Sequence, residues 1–329
     1  MLRTAPLAAA LMLTVAAGVV VTHGGAAAQA VARPVRVGFL EPGGAADSGF
    51  RESVFVKRLQ ELGWVDGQNL AIEILRAEGK AEVLPALASE LVRRRVNVIV
   101  TSGTTAIRAA RQATDTVPIV MAGGGDPVGS GLIKSLARPG GNITGVSLLG
   151  QELVPKGLSL LREVVPLTKR IDLLTNAANP ANPFFERVTA EGAQRLGVGS
   201  HLLEVRSPDE LESVIAGTKA DAILALPDPM FRIHAKRIAD GAIKRRLPLA
   251  SFGRQYVEAG SLMSYTVNFE DVFRRAAEYT DRILRGANPA EVPVEQPSRY
   301  ELIFNVKTAR ALRVTIPPSL LQRADQVFE

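Results

Sequence analysis

The sequence predicts an α/β protein built as two doubly wound, Rossmann-like lobes. Three observations carry this. Beyond Pro34, short apolar runs alternate with amphipathic stretches, the pattern of parallel strands joined by right-handed helical crossovers. The alternation runs through about four units before Gly140 and resumes for about three to four after it. The chain has 329 residues, roughly twice the 150 or so expected of one domain.

Val35–Leu40 (VRVGFL) reads as a buried strand. Ser48–Leu62 follows as a helix, with Phe55, Leu59 and Leu62 at helical spacing and Gly63 in the position of a C-cap. Leu70–Leu75 is a second strand. Ala81–Arg94 is a helix with Leu84, Leu87 and Leu91 on one face. Val96–Val100 is a third strand, Thr104–Ala113 a helix, Ile119–Met121 a fourth strand and Gly129–Ala137 a short helix. In the second half, Ile171–Leu174, Leu202–Val205, Ala222–Leu226 and Leu249–Phe252 read as strands. Pro183–Leu196, Pro208–Ala216 and Ile233–Arg245 read as the helices between them. The tail breaks the rhythm. Ser261–Tyr265 is a strand and Asp271–Leu284 an amphipathic helix, but Asn288–Pro297 is rich in proline and acids. Tyr300–Val306 is then a strand, Thr308–Leu312 a helical turn and Pro317–Val327 a final helix. A long connector between late elements predicts that the chain crosses back between the lobes.

Residues 1–30 read as a cleaved leader. Arg3 gives a positive start, Leu7–Val21 is an almost unbroken apolar run, and Ala28-x-Ala30 matches the small-residue pattern read by signal peptidase. The run is about 15 residues, short of the ~20 that span a bilayer. The expectation is export to the periplasm with cleavage after Ala30. No lipid anchor is expected, since the chain has no cysteine.

Hydrophobic residues make up 47% and charged residues 22% of the chain, which excludes a mainly disordered or fibrous protein. The lack of cysteine excludes disulfides, thiolate nucleophiles and zinc–thiolate or iron–sulfur sites. With three histidines in all, neither a metal nor a cofactor is expected. The net charge of +6 is scattered along the chain. Its densest run, Arg93–Arg94–Arg95, ends a helix, where cations suit the dipole. Nucleic acid is therefore not an expected partner.

In open α/β sheets, ligands bind at the carboxyl ends of the strands. Those ends are small and polar here. They comprise Pro42, Gly43 and Ser48 after the first strand, and Thr101–Ser102–Gly103–Thr104–Thr105 after the third. Asp126 follows the fourth, and Asn179, Asp228 and Tyr256 occupy the equivalent places in the second half. The Thr101–Thr105 loop points to an anion such as a carboxylate, because hydroxyls and free backbone N–H groups meet there at a helix start. Asp126 and Asp228 each either pair with a ligand ammonium or merely cap the helix that follows. Phe184, Phe231, Tyr256 and Tyr265 are candidate packing partners for an aromatic ligand.

Enzyme signatures are missing. The chain has no phosphate-binding P-loop, no G-x-G-x-x-G, because Val128 stands where the third glycine belongs, and no G-x-S-x-G elbow. His201 and His234 sit in no motif with a nucleophile or metal partner.

Glu61–Leu62–Gly63–Trp64–Val65–Asp66–Gly67–Gln68–Asn69–Leu70 resembles a segment shared by the substrate-binding proteins of ABC transporters of the tryptophan/tyrosine type. So do Asp126–Pro127–Val128–Gly129, Ala137–Arg138–Pro139–Gly140–Gly141–Asn142, Asn179–Pro180–Ala181–Asn182–Pro183, Leu262–Met263–Ser264–Tyr265 and Pro293–Val294–Glu295–Gln296–Pro297. The resemblance implies a type I periplasmic-binding fold, two lobes joined by three crossovers. It places 34–144 and 262–290 in lobe one, and 145–261 and 297–329 in lobe two. It also implies the pocket residues named above. The chain departs from the family pattern after Tyr265 and at Thr175–Ala178, the latter at a strand end expected to face the cleft.

The expectation is a monomeric, exported capture protein. It would take a small amino-acid-like or carboxylate ligand and dock on an ABC permease in the inner membrane. A periplasmic sensor that signals through a receptor is the alternative, followed by an exported enzyme on the same fold.

Overall fold

The computed structural model describes residues 34–148 and 153–329, apart from the side chains of residues 45–48 and 50. The expected leader therefore lies outside the described residues.

The first half builds a five-stranded, all-parallel sheet. Its elements are β1 (Val35–Glu41), α1 (Ala45–Glu61), β2 (Leu70–Arg76), α2 (Leu84–Arg93), β3 (Val98–Thr101), α3 (Thr104–Ala113), β4 (Ile119–Ala122) and β5 (Ile143–Val146). The strand order is β2-β1-β3-β4-β5. β3, β4 and β5 are buried at every position, as strands covered on both faces must be.

The second half contributes α4 (Leu153–Val164), β6 (Arg170–Asn176), α5 (Asn182–Leu196), β7 (Gly199–Val205), α6 (Leu211–Gly217), β8 (Ala222–Ala225), α7 (Pro229–Ile233), α8 (Ala235–Lys244), β9 (Leu249–Ser251) and α9 (Arg254–Glu258). The tail adds β10 (Met263–Val267), α10 (Phe269–Leu284), β11 (Tyr300–Asn305), α11 (Val306–Leu312), α12 (Pro318–Arg323) and β12 (Gln326–Phe328). The second sheet has seven strands in the order β12-β11-β10-β9-β8-β6-β7. Only the β10–β11 pair within it is antiparallel.

Three local readings of the sequence change. Gly129–Ala137 is not a helix but a run of turns, in which the Pro127 carbonyl accepts from both Leu132 and Ile133 N–H. The final helix stops at Arg323, and Gln326–Phe328 instead adds the edge strand β12 beside β11. Ile233–Arg245 is broken at His234 into α7 and α8.

The lobe boundaries move as well. Gly145 and Val146 still pair with Met121 and Ala122 of β4, so the first crossing follows Val146 rather than Thr144. β10 belongs to the second sheet, not the first, because Met263 and Ser264 are in register with Ala250 and Ser251 of β9. The second crossing is at Asn268. There the chain leaves the seven-stranded sheet and starts α10, which packs on α1 and the five-stranded sheet. Asn268 serves both sides: its Oδ1 accepts from the Asp271 N–H at 2.8 Å, capping α10, and its Nδ2 donates to Glu301 of β11 at 2.6 Å. The third crossing follows Glu295, which exchanges backbone hydrogen bonds with Gly145 and Ser147 at the edge of the first sheet.

α10 is held by an aromatic cluster. Phe273 stacks on Phe39 of β1 at 6.2 Å, and Phe39 meets Phe55 of α1 edge-on at 5.5 Å. All three are fully buried. No described helix is long and apolar enough to cross a membrane.

Phe273→Ala is expected to destabilise the protein by about 3–5 kcal/mol, the usual cost of emptying a buried phenyl site. Urea unfolding followed by circular dichroism measures it. A loss below about 1 kcal/mol would mean that α10 is not anchored through this cluster.

Candidate functional site

A cavity of about 80 Å³ lies where the carboxyl ends of the two sheets face each other. From the first lobe come Ser102, Gly103 and Thr104 after β3, Ala122–Gly125 after β4, Leu148 after β5, and Arg51 from α1. From the second come Asn179 after β6, Leu226–Pro229 after β8, and Phe252 and Tyr256 after β9, while Phe269, the first residue of α10, joins the wall from the first lobe's side of the crossing. Each loop reaches the cavity because parallel strands put all their carboxyl ends on one edge. Most of the wall is apolar, with Leu148, Leu153, Val154, Phe185, Leu226, Phe252, Tyr256 and Phe269 prominent.

Of the residues singled out in the sequence, Ser102, Gly103, Thr104, Asn179, Asp228 and Tyr256 reach this wall. Others do not. Thr101 is fully buried and donates its hydroxyl to the Leu40 carbonyl at 2.7 Å, tying β3 to β1. Thr104 lines the cavity, but its Oγ1 accepts from the Gly125 N–H at 2.8 Å and so fixes the loop after β4. Thr105 lies off the wall. Asp126 also lies off it, with Oδ1 accepting from the Gly129 N–H at 2.7 Å. Capping is what its carboxylate does here. Pro42 and Gly43 sit behind the wall, where the Gly43 N–H donates to Glu41 Oε1 at 2.8 Å. The side chain of Ser48 is outside the described residues. Among the aromatic candidates only Tyr256 reaches the wall. Phe184 and Phe231 pack in the second lobe's cores, and Tyr265 stacks on Tyr300 at 5.5 Å.

Asp228 is the carboxylate of the cavity. It precedes α7 and caps it, accepting from the Met230 N–H at 2.8 Å. Asn179 Nδ2 and Asn176 Nδ2 donate to it at 2.8 and 3.2 Å. Both asparagines are committed to this geometry, since their own Oδ1 atoms accept from Ala181 and Ala178 N–H. Burial raises the Asp228 pKa, and it outweighs the backbone donor, the two amides and the more distant Arg232 charge, all of which act downward. Burial acts upward because removing a carboxylate from water costs several kcal/mol even after relaxation.

Two guanidiniums, missed in the sequence reading, share the wall. Arg51 projects from α1 and Arg232 from α7, one helical turn beyond Asp228. Both approach Glu41 Oε1, Arg51 at 3.3 Å and Arg232 at 3.8 Å. In a sequence each is one arginine among many on a helix. The usable signal for Arg232 is its spacing of four residues from an aspartate fixed between prolines.

The lobes touch. A Cβ on Gly125 would lie 2.8 Å from the Ala181 Cβ of the opposite lobe, and one on Gly103 would lie 2.8 Å from Pro229 Cγ. Gly103 also needs its φ of +81° to start α3, a conformation that glycine adopts freely. Among the described residues no cluster of three or more metal-ligating side chains forms.

Two α/β lobes that meet over a small apolar cavity with charged groups on its wall define a ligand-trapping protein. The family model for ABC transporter substrate binding proteins matches residues 47–328, and the chain belongs to that family. It is 25% identical over 260 residues to a tyrosine-binding protein of Clostridioides difficile, covering 78% of this chain and 75% of that one. A Streptococcus pneumoniae ABC domain in complex with L-Trp is 26% identical, with a TM-score of 0.85 over 90% of this chain and all of the other. A ligand-free, open substrate-binding protein from Clostridium difficile is 24% identical, with a TM-score of 0.66 over 89% and 99%. The architecture is that of the type I periplasmic binding proteins.

The raised Asp228 pKa sets a pH dependence. Unfolding lets the group ionise at its ordinary value of 3.8, so the folded state pays a penalty that grows as pH rises from there to the raised value, then levels. Asp228→Asn removes that penalty. The stability of the variant relative to the parent should therefore climb with pH over this window and stay flat above it. Urea midpoints from pH 4 to 8 measure the difference, and a difference independent of pH would show that Asp228 is not strained by burial.

Proposed function

We propose that this chain is the exported receptor of an ABC importer and that it captures an α-amino acid with a large apolar or aromatic side chain. The observation that carries this reading is the pairing of Asp228 with Arg51 and Arg232 on an otherwise apolar wall. A buried carboxylate suits the ligand ammonium. Guanidiniums suit the ligand carboxylate, which they can grip with two parallel hydrogen bonds. Asp228 caps α7 and Arg232 lies one turn along it, and both line the cavity, so one zwitterion can meet the two. Leu226, Phe252, Tyr256, Phe185 and Phe269 leave an apolar setting for the side chain. The ligands named for the relatives, tyrosine and L-Trp, support an aromatic one.

Closure then reports the catch. A ligand that contacts both lobes favours the closed state, and a permease that reads the closed surface accepts only loaded protein. The pattern of residues 1–30 supports export to the periplasm, and the family supports the permease partner. The wall residues are suited to holding a ligand rather than converting it. The two histidines beyond residue 30, His201 on β7 and His234 between α7 and α8, are not on the wall.

Titration calorimetry tests this on protein that has been unfolded, dialysed free of bound solute and refolded. L-tryptophan or L-tyrosine should bind. Tryptamine, which lacks the carboxylate, and indole-3-propionate, which lacks the ammonium, should each bind about 100-fold more weakly, because each leaves a buried charge unpaired. Tryptamine binding as tightly as tryptophan would remove the arginines from the ligand. Binding of no zwitterion in an amino-acid panel would overturn the reading.

A further inference from the structure

Glu41 is the last residue of β1, a central strand of the first sheet, and it is fully buried. A glutamate there is costly, and the other residues of that strand are apolar except for Arg36. Three donors converge on its Oε1: the Gly43 N–H at 2.8 Å, Arg51 at 3.3 Å and Arg232 at 3.8 Å. The first two belong to its own lobe, and Arg232 belongs to the other. The ion pair therefore crosses the cleft. It is shielded, since the side chains of Arg51 and Arg232 are 6% and 12% exposed, and shielding strengthens a charge contact. Glu41 Oε2 is buried with no hydrogen-bond partner among the described residues, so an acceptor remains for a guanidinium that moves closer. The other seams between the lobes noted here, Gly103 with Pro229, Gly125 with Ala181 and Gly79 with Ile233, are van der Waals contacts.

We propose that Glu41 is a positioning residue that couples recognition of the ligand carboxylate to closure of the lobes. It lies off the cavity wall and touches no ligand. It acts through Arg51, which it orients within its own lobe, and through Arg232, which it engages only when the lobes close. In the open state Arg232 leaves with its lobe. On closing, Arg232 arrives between Glu41 and the ligand carboxylate, and each anion favours the position that the other needs. The carboxylate part of this proposal rests on the reading of the ligand as an amino acid. The cross-cleft latch does not.

The test exploits the absence of cysteine from the chain. Lys80→Cys and Ile233→Cys place one thiol in each lobe beside the Gly79–Ile233 contact, and a short bis-methanethiosulfonate reagent bridges them only when the lobes are together. The bridging rate in ligand-free protein, normalised to the labelling rate of each single cysteine, follows the closed population even when that is small. Glu41→Gln and Arg232→Gln should each slow bridging about tenfold, and the double variant no further, because one contact is broken from either side. Bridging of Glu41→Gln as fast as the parent overturns the latch, and so do single effects that multiply in the double variant. If Glu41→Gln does not fold, Arg232→Gln alone decides, and an unchanged rate overturns it.

Calorimetry adds the second reading. Glu41→Gln should weaken tryptamine about tenfold, through the lost closure that any ligand held between the lobes shares, and L-tryptophan by about tenfold more, since only its carboxylate meets the Arg232 that Glu41 positions. Equal losses for both overturn the positioning role. If the parent binds neither L-tryptophan nor L-tyrosine, the aromatic amino-acid reading fails, and the bridging rates still judge the latch.

Discussion

Parallel strands joined by right-handed crossovers deliver every outgoing loop to one edge of their sheet. In this protein two such edges point at the same gap, and the rest of the molecule follows from that constraint. The loops after β1, β3, β4 and β5 meet the loops after β6, β8, β9 and β10. The polar side chains that would be costly in a core collect there instead. The chain crosses between the lobes at Val146, Asn268 and Glu295, and these crossings keep the edges opposed. Asn268 fastens both sides of one crossing at once, as cap of α10 and partner of Glu301.

The cleft is built against its own stability. Asp228 remains strained by burial although three donors face it. Glu41 keeps an unsatisfied oxygen beside two guanidiniums. Such groups persist where a ligand or a moving lobe completes them. In the proposed complex a ligand ammonium offsets the strain at Asp228, and in the proposed latch the arrival of Arg232 adds a charge beside Glu41. Under the proposed reading Asp228 makes the empty closed state costly and a filled one favourable, while the Glu41–Arg232 contact holds the lobes together in either case.

The fold was largely legible in the sequence, and the site only in part. The strands with continuous apolar runs, such as Val37–Leu40 and Ala222–Leu226, declare themselves through burial on both faces. Which sheet a short strand joins is not written in the strand. β10 goes to the second sheet because of its register with β9, and nothing in Met263–Val267 alone says so. The loop Thr101–Thr105 shows the limit for sites. A hydroxyl that serves a ligand and one that ties down backbone look alike in sequence, and Thr101 does the second. Asp126 and Asp228 show it again. Both follow a strand, precede a proline and cap the next turn. The pairing of β6 with β8 brings Asn179 onto the wall beside Asp228 and Asn176 within hydrogen-bond reach of it, whereas Asp126 turns to Gly129 off the wall. Arg51 and Arg232 were hidden for the same reason, since only the meeting of the lobes distinguishes them from arginines on a solvated helix face.

A crystal structure of the protein refolded in L-tryptophan tests the central claim most directly. The account predicts one ligand molecule between the lobes, its ammonium on Asp228, its carboxylate on Arg51 and Arg232, and its ring among Phe252, Tyr256 and Phe269. A ligand bound outside the cleft, or bound within it with its carboxylate turned away from both arginines, would contradict the account.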